Sequence, residues 1–272
     1  KYVPPPNGLT HWWPADGNAK DIIGGDTYTG TTFGGTTFEL GKAGQAFNFN
    51  GSNAYVTIPN QSDLNFGTSD FTVSLWVKAH SWNGPGWWYS STLIEKWSQP
   101  AGGGNVAWGW SLSSRGDGLI LSYGDGRTGG HPTSCADTCL ISFYPVQPGQ
   151  SVPYPQPPVP GVFPPTETWY HMAIKRSGSS LKIYRDGANV ATQTYPFIYN
   201  LDTAPSGYES LLKFGARGLG QYANQEFFNG MIDEVQIYNR ALSDNEIASI
   251  TSASGNYCKG GEITVDAGQI FQ

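Results

Sequence analysis

Hydrophobic and polar residues alternate with a period of two along most of the chain. The clearest run is Asp70–Ala79, in which Phe71, Val73, Leu75 and Val77 fall on one face and Thr72, Ser74, Trp76 and Lys78 on the other. The same alternation predicts strands over Thr92–Lys96, Ala107–Ser113, Leu119–Tyr123, Cys139–Tyr144, Trp169–Arg176, Leu181–Arg185, Ala188–Thr192, Leu211–Ala216 and Met231–Tyr238. Gln45–Phe49 and Ala54–Ile58 flank Asn50-Gly51-Ser52-Asn53, which reads as a hairpin, and Arg185-Asp186-Gly187-Ala188 reads as a tight turn. One helix is expected, Ser243–Ile250, with Ser243 and Glu246 forming a capping box and Ile247 and Ile250 a small apolar face.

Three regions break the pattern. Residues 1–8 contain three prolines and read as an extended lead-in. Residues 80–105 are rich in Gly and Trp, and residues 145–168 hold nine prolines, so both are expected to be long loops. After the helix, residues 252–272 form a tail in which Glu262–Phe271 again has strand character. The expected organisation is therefore one all-β, antiparallel two-sheet domain over 9–251, with a lead-in, two inserted loops and a tail strand.

Composition strengthens this reading. Charged residues are 13% of the chain, about half the usual share, while aromatics reach 14% and glycines number 36. Abundant Thr, Tyr and Trp suit pleated strands, and Gly suits the turns between them. A net charge of −6 disfavours a nucleic-acid partner, which needs a basic stripe. No run of 18 apolar residues is long enough for a membrane span. Lys1 follows neither Met nor an apolar leader, as expected if a leader has been removed or the chain trimmed. Cys135 and Cys139 are spaced for a local disulfide stiffening a loop, the alternative being a metal site with His131, and Cys258 is then left over. Such cysteines, with sparse Lys, point to a secreted or surface-exposed protein. Asn50-Gly51-Ser52 and Asn60-Gln61-Ser62 fit the glycosylation acceptor pattern.

Several stretches match a known family. Trp12-Trp13-Pro14-Ala15-Asp16-Gly17-Asn18, Gly44-Gln45-Ala46-Phe47 and Phe71-Thr72-Val73-Ser74-Leu75-Trp76-Val77 resemble the first half of a bacterial laminin-G-like jelly roll. Trp169-Tyr170-His171-Met172-Ala173, Ile183-Tyr184-Arg185-Asp186-Gly187 and Phe228-Asn229-Gly230-Met231-Ile232-Asp233-Glu234 resemble its second half. This laminin-G-like, concanavalin A-like lectin/glucanase resemblance implies two stacked antiparallel sheets, adhesion or glycan recognition, and often a bound calcium ion. Asp16, Asn18 and Asp21 offer closely spaced oxygen donors for calcium, and in related sandwiches Asp233 would approach them. The alternative is that Asp16 and Asn18 make Asx turns and Asp233 accepts backbone amides.

Related glycoside hydrolases set two carboxylates on one strand in a Glu-x-Asp-x-x-Glu pattern, but no glutamate here is followed two positions later by aspartate. HExxH, GxSxG and phosphate-loop motifs are also absent. For sugar binding, flat rings are needed against which a pyranose packs its C–H face. Trp82, Trp87, Trp88 and Tyr89 in the glycine-rich loop, with Asn83 and Trp97, form the expected platform. Trp12, Trp13, Trp76 and Trp169 are expected in the core, and His171 is expected to be a satisfied structural histidine. Arg115-Gly116-Asp117, although a tripeptide that adhesion receptors read, sits between two strands as a turn.

The function expected from sequence is a non-catalytic, extracellular, lectin-like module binding a polysaccharide or glycoprotein with a structural calcium ion. The alternative is a subunit that self-assembles as a homo-oligomer or filament through 145–168 and 252–272. A glycan hydrolase or lyase ranks third.

Overall fold

A computed structural model describes residues 4–82, 90–98, 108–115, 118–125, 139–143, 165–194, 198, 200–201, 210–217 and 226–253. The first five strands are β1 (Leu9–Trp13), β2 (Thr31–Phe33), β3 (Thr37–Leu40), β4 (Gln45–Asn50) and β5 (Tyr55–Ile58). They are followed by β6 (Phe71–Ser81), β7 (Ser90–Ser98), β8 (Trp108–Arg115), β9 (Gly118–Asp125) and β10 (Cys139–Phe143). The last five are β11 (Trp169–Ser177), β12 (Ser180–Arg185), β13 (Ala188–Thr194), β14 (Leu212–Phe214) and β15 (Asn229–Tyr238), and helix α1 (Asp244–Ala253) closes the described chain.

These strands form two antiparallel sheets. The first runs β13-β12-β11-β6-β15-β4-β3, with β1 added beside β15, and the second runs β10-β9-β8-β7-β14-β5-β2. Alternation along each strand decides which face is inside. In β6, Phe71, Val73, Leu75, Val77 and Ala79 enter the inter-sheet core, where they join Val56, Ile58, Ile94, Leu112, Leu212 and Phe214 of the second sheet. The other face of the first sheet is covered by α1: Ile247 and Ile250 pack with Ala173, Tyr184, Tyr238 and Leu242.

The expected hairpin at Asn50–Asn53 is not one. β4 pairs with β15 and β3 in the first sheet, whereas β5 pairs with β14 and β2 in the second. Asn50 Oδ1 accepts the amides of Ser52, Asn53 and Ala54 at 3.0, 3.1 and 3.1 Å, so its side chain builds the corner that carries the chain between sheets. Crossing satisfies the apolar pattern of both strands, because Phe47 and Phe49 enter the core from one sheet and Val56 and Ile58 from the other. By contrast, the 185–188 turn closes as expected, with Arg185 paired to Ala188 and Asp186 at φ 50°. Arg115 pairs with Gly118, whereas Gly116 and Asp117 of the Arg-Gly-Asp tripeptide lie outside the described residues.

The helix starts as its sequence requires. Ser243 Oγ accepts the Glu246 amide at 3.2 Å, and Glu246 Oε2 accepts the Ser243 amide at 2.8 Å. Ser243→Ala is expected to lower unfolding free energy by about 1 kcal/mol, read as a shifted urea midpoint at unchanged slope. Most of the 145–168 insert, all of 254–272 and the strand expected at Glu262–Phe271 lie outside the described residues.

Candidate functional site

The outward face of the second sheet carries a concentration of polar and aromatic side chains. A bulge between Thr92 and Ile94 resets the alternation of β7, after which Ile94 faces the core and Glu95 and Trp97 face outward. Glu95 lies opposite Lys213 of β14 and Ser111 of β8, and Trp97 lies opposite Gly109. Gly109 sits at φ +93°, and a Cβ there would meet the Lys96 carbonyl oxygen at 1.8 Å, so only glycine allows β8 to run this close to β7.

Around these strands the face is knitted by side chains. Ser111 Oγ lies 2.9 Å from Ser113 Oγ, which lies 3.2 Å from Thr92 Oγ1. Arg217 donates to both carboxylate oxygens of Glu226 at 3.1 Å, and its guanidinium carbon lies 5.4 Å from the centre of the Trp97 ring. Lys213 is 4% exposed, and its ammonium nitrogen stands 5.4 Å from the centre of the Tyr55 ring. Burial pushes the Lys213 pKa down, and the facing Glu95 carboxylate pulls in the opposite direction. Glu95 and Glu226 therefore each have a cation beside them.

Toward the sheet edge the same face opens to solvent. Phe33 of β2 pairs directly with Tyr55 of β5, and their rings stack at 4.8 Å and 11°. Phe33 is 40% exposed, Tyr55 is half-buried, and Phe227 approaches Tyr55 with ring centres 6.3 Å apart. Rings, hydroxyls and balanced charges side by side suit a ligand that has both C–H faces and hydroxyl groups.

Of the residues expected to form the binding platform, only Trp82 and Trp97 are described; Asn83, Trp87, Trp88 and Tyr89 lie outside the described residues. Trp82 is corrected. It packs into the inter-sheet core with its ring 6.0 Å from Phe228, because a register shift between Ala79 and Ser81 reverses the alternation of β6 ahead of it. Trp97 belongs to the outward face but is only 1% exposed. Tyr55, Phe33, Lys213 and Arg217 were missed, since no local motif marks them. Cys139 opens β10, and Cys135 lies outside the described residues. Trp12, Trp13 and Trp76 are buried as expected, whereas Trp169 is half-exposed beside Lys78.

The four expected calcium ligands do not converge. Asp16 Oδ1 accepts the Gln45 amide at 2.8 Å, and Asp233 Oδ2 accepts the Lys42 and Ala43 amides at 2.8 and 3.0 Å, so both carboxylates hold the 41–45 turn. Asn18 makes an Asx turn, its Oδ1 accepting the Lys20 amide at 2.9 Å. Asp21 is turned elsewhere: Oδ1 accepts the amides of Trp12, Ile23 and Gly24, and Oδ2 faces His11 Nδ1 at 2.7 Å. Calcium wants six to eight converging oxygens, and this arrangement does not fit one ion. Among the described residues, no three His, Cys, Asp or Glu side chains gather as a metal set.

Residues 157–248 match the sequence model of the concanavalin A-like lectin/glucanases superfamily. No curated protein sequence matches the chain. Among solved structures, the chain is similar to the binding domain of Paraclostridial Mosquitocidal Protein 1, at TM-score 0.61 and 17% identity, covering 91% of this chain and 52% of that one. It is similar to Domain 4 of AbnA, a GH43 extracellular arabinanase from Geobacillus stearothermophilus in complex with arabinotriose, at TM-score 0.52 and 18% identity, covering 92% and 100%. A third is the binding domain of Botulinum neurotoxin DC in complex with SialylT, at TM-score 0.59 and 14% identity, covering 91% and 52%. The chain spans about half the length of the two toxin structures. The chain is an antiparallel two-sheet jelly-roll sandwich whose residues 157–248 match the concanavalin A-like lectin/glucanases superfamily and whose fold is similar to these binding domains over most of its length.

Proposed function

We propose that the protein is a non-catalytic, extracellular carbohydrate-binding module whose ligand lies at the exposed Phe33–Tyr55 edge of the outward face of the second sheet. The observation that carries this reading is the stacked Phe33–Tyr55 pair, continuous with Lys213, Glu95, Trp97 and Arg217. A sugar ring would lie on the exposed Phe33–Tyr55 edge, with Lys213 beside Tyr55 and Glu95 and Trp97 buried further in as its support. Two similar structures are complexes with arabinotriose and with SialylT, which supports a sugar ligand for this face. Among the described residues no helix is long and apolar enough to cross a membrane, which fits a secreted or surface location. Asp16, Asn18, Asp21 and Asp233 act here as acceptors for backbone amides.

Calorimetric titration of an oligosaccharide panel that includes arabinotriose tests the proposal. Tyr55→Ala and Phe33→Ala are each expected to weaken binding by about 1 kcal/mol, roughly fivefold, with little change in melting temperature for the exposed Phe33. Binding untouched by both substitutions would remove this face from the account.

A further inference from the structure

Beside the stacked rings, the exposed edge of the second sheet carries a pair of hydroxyls. Thr31 of β2 pairs directly with Thr57 of β5, two residues along each strand from Phe33 and Tyr55 and on the same face. Such positions stand about 7 Å apart along a strand, so the rings and the hydroxyls form one continuous block. Thr31 is exposed and Thr57 half-buried, and neither hydroxyl has a hydrogen-bond partner among the described residues. The block is held in place at both ends. Thr36 Oγ1 donates to the Phe33 carbonyl at 2.8 Å and lies 3.2 Å from the Tyr55 carbonyl, which ties the strands beside the rings. Gly30 lets the chain enter β2 close against β5, because a Cβ there would meet Ile58 Cδ1 and Val56 Cγ1 at 2.8 Å.

The charges around this block are compensated or negative. Lys213 follows Thr57 across the sheet, but it is 4% exposed and lies opposite Glu95. Arg217 is engaged by both carboxylate oxygens of Glu226. Opposite charges this close cancel over distance, so an approaching ligand meets little positive field. Of the segments that lead into β2 and out of β5, the first carries the exposed Asp26 and the second Asp63, 51% exposed. The chain as a whole has a net charge of −6. An anionic sugar would lose hydration here without gaining a cation. An uncharged sugar exchanges water for the threonine hydroxyls at little cost.

Resting on the sugar reading of this edge, we propose that it selects uncharged glycans, with Thr31 and Thr57 bonding their hydroxyl groups beside the Phe33–Tyr55 rings. Calorimetric titration of the full chain tests this with arabinotriose, maltotriose and xylotriose against trigalacturonate and sialyllactose. A neutral sugar is expected to bind with a Kd that changes less than about twofold from roughly 0.05 to 0.5 M salt. Both acidic sugars are expected to bind at least roughly tenfold more weakly. Thr57→Val keeps the shape and strand preference of the side chain, and is expected to weaken the neutral sugar roughly two- to tenfold at an unchanged melting temperature. An acidic sugar that binds more tightly, weakens with salt and responds to Tyr55→Ala overturns the preference for uncharged ligands while leaving the edge in place. Neutral binding untouched by both Thr57→Val and Thr31→Val removes the hydroxyls from the site. A panel in which no binding responds to Tyr55→Ala or Phe33→Ala brings down the sugar reading itself, and this selectivity with it.

Discussion

A protein carrying Phe214→Ala is expected to lose about 3–5 kcal/mol of unfolding free energy. Phe214 lies in β14, a three-residue strand held between β5 and β7. Its ring reaches across the sandwich to Trp13 at 5.6 Å and Phe47 at 6.0 Å, so one side chain joins both sheets. Removing it leaves a cavity that neighbours on two rigid sheets cannot collapse to fill. The adjacent residue on the opposite face is Lys213, so the ligand face is expected to lose its central cation as β14 loosens. Chemical denaturation reads the first effect, and oligosaccharide titration of the same protein reads the second. Leu40→Ala, at a side chain 83% exposed on β3, should change stability by no more than about 0.5 kcal/mol. Equal effects of the two substitutions would contradict this packing.

The second large effect is on pH dependence. His171 is fully buried, with Nε2 2.8 Å from Ser74 Oγ, Nδ1 2.9 Å from Thr251 Oγ1, and the edge of Trp76 against its ring. Burial lowers its pKa from 6.5 to about 3. The unfolded chain takes up a proton at this residue below about pH 6.5 while the folded chain does not until about pH 3, so unfolding binds a proton throughout that window. Stability is therefore full above 6.5 and falls with falling pH, by about 2 kcal/mol at pH 5 from this residue alone. His171→Gln removes that contribution, so the difference in stability between parent and variant is expected to shrink on acidification from pH 7 to pH 5. A constant difference would mean that His171 takes up its proton over the same pH range in the native and unfolded chains, contradicting the burial argument.

Much of the scaffold was legible along the chain because alternation is a local signal. Phe71 to Val77 declare their inner face directly, and Ser243 with Glu246 declare the helix start. Asn50–Asn53 misled for the same reason: a turn between alternating runs looks alike whether the next strand returns beside the last or crosses to the other sheet. Only partners more than a hundred residues away, β15 for β4 and β14 for β5, decide it.

The binding face was hidden in the same way. Tyr55, Lys213, Glu95 and Phe33 come from four strands, and cross-strand register alone brings them together. Trp97 was visible as an aromatic near a glycine-rich loop, whereas Trp82, equally visible, fell inside because a register shift between Ala79 and Ser81 reverses the alternation of β6 just before it. Asp21 attracted attention as a calcium ligand through its neighbours Asp16 and Asn18. Its actual partner, His11, lies ten residues earlier across a loop.

The central claim is that ligand settles on the outward face of the second sheet and leaves unchanged. Backbone amide NMR of the labelled protein during titration with a binding oligosaccharide tests it most directly. Shifts centred on Phe33, Tyr55, Glu95 and Lys213, with the sugar intact at the end, are the predicted result. Shifts centred instead on Trp76 and Trp169 of the first sheet, or the release of shortened sugar, would contradict it.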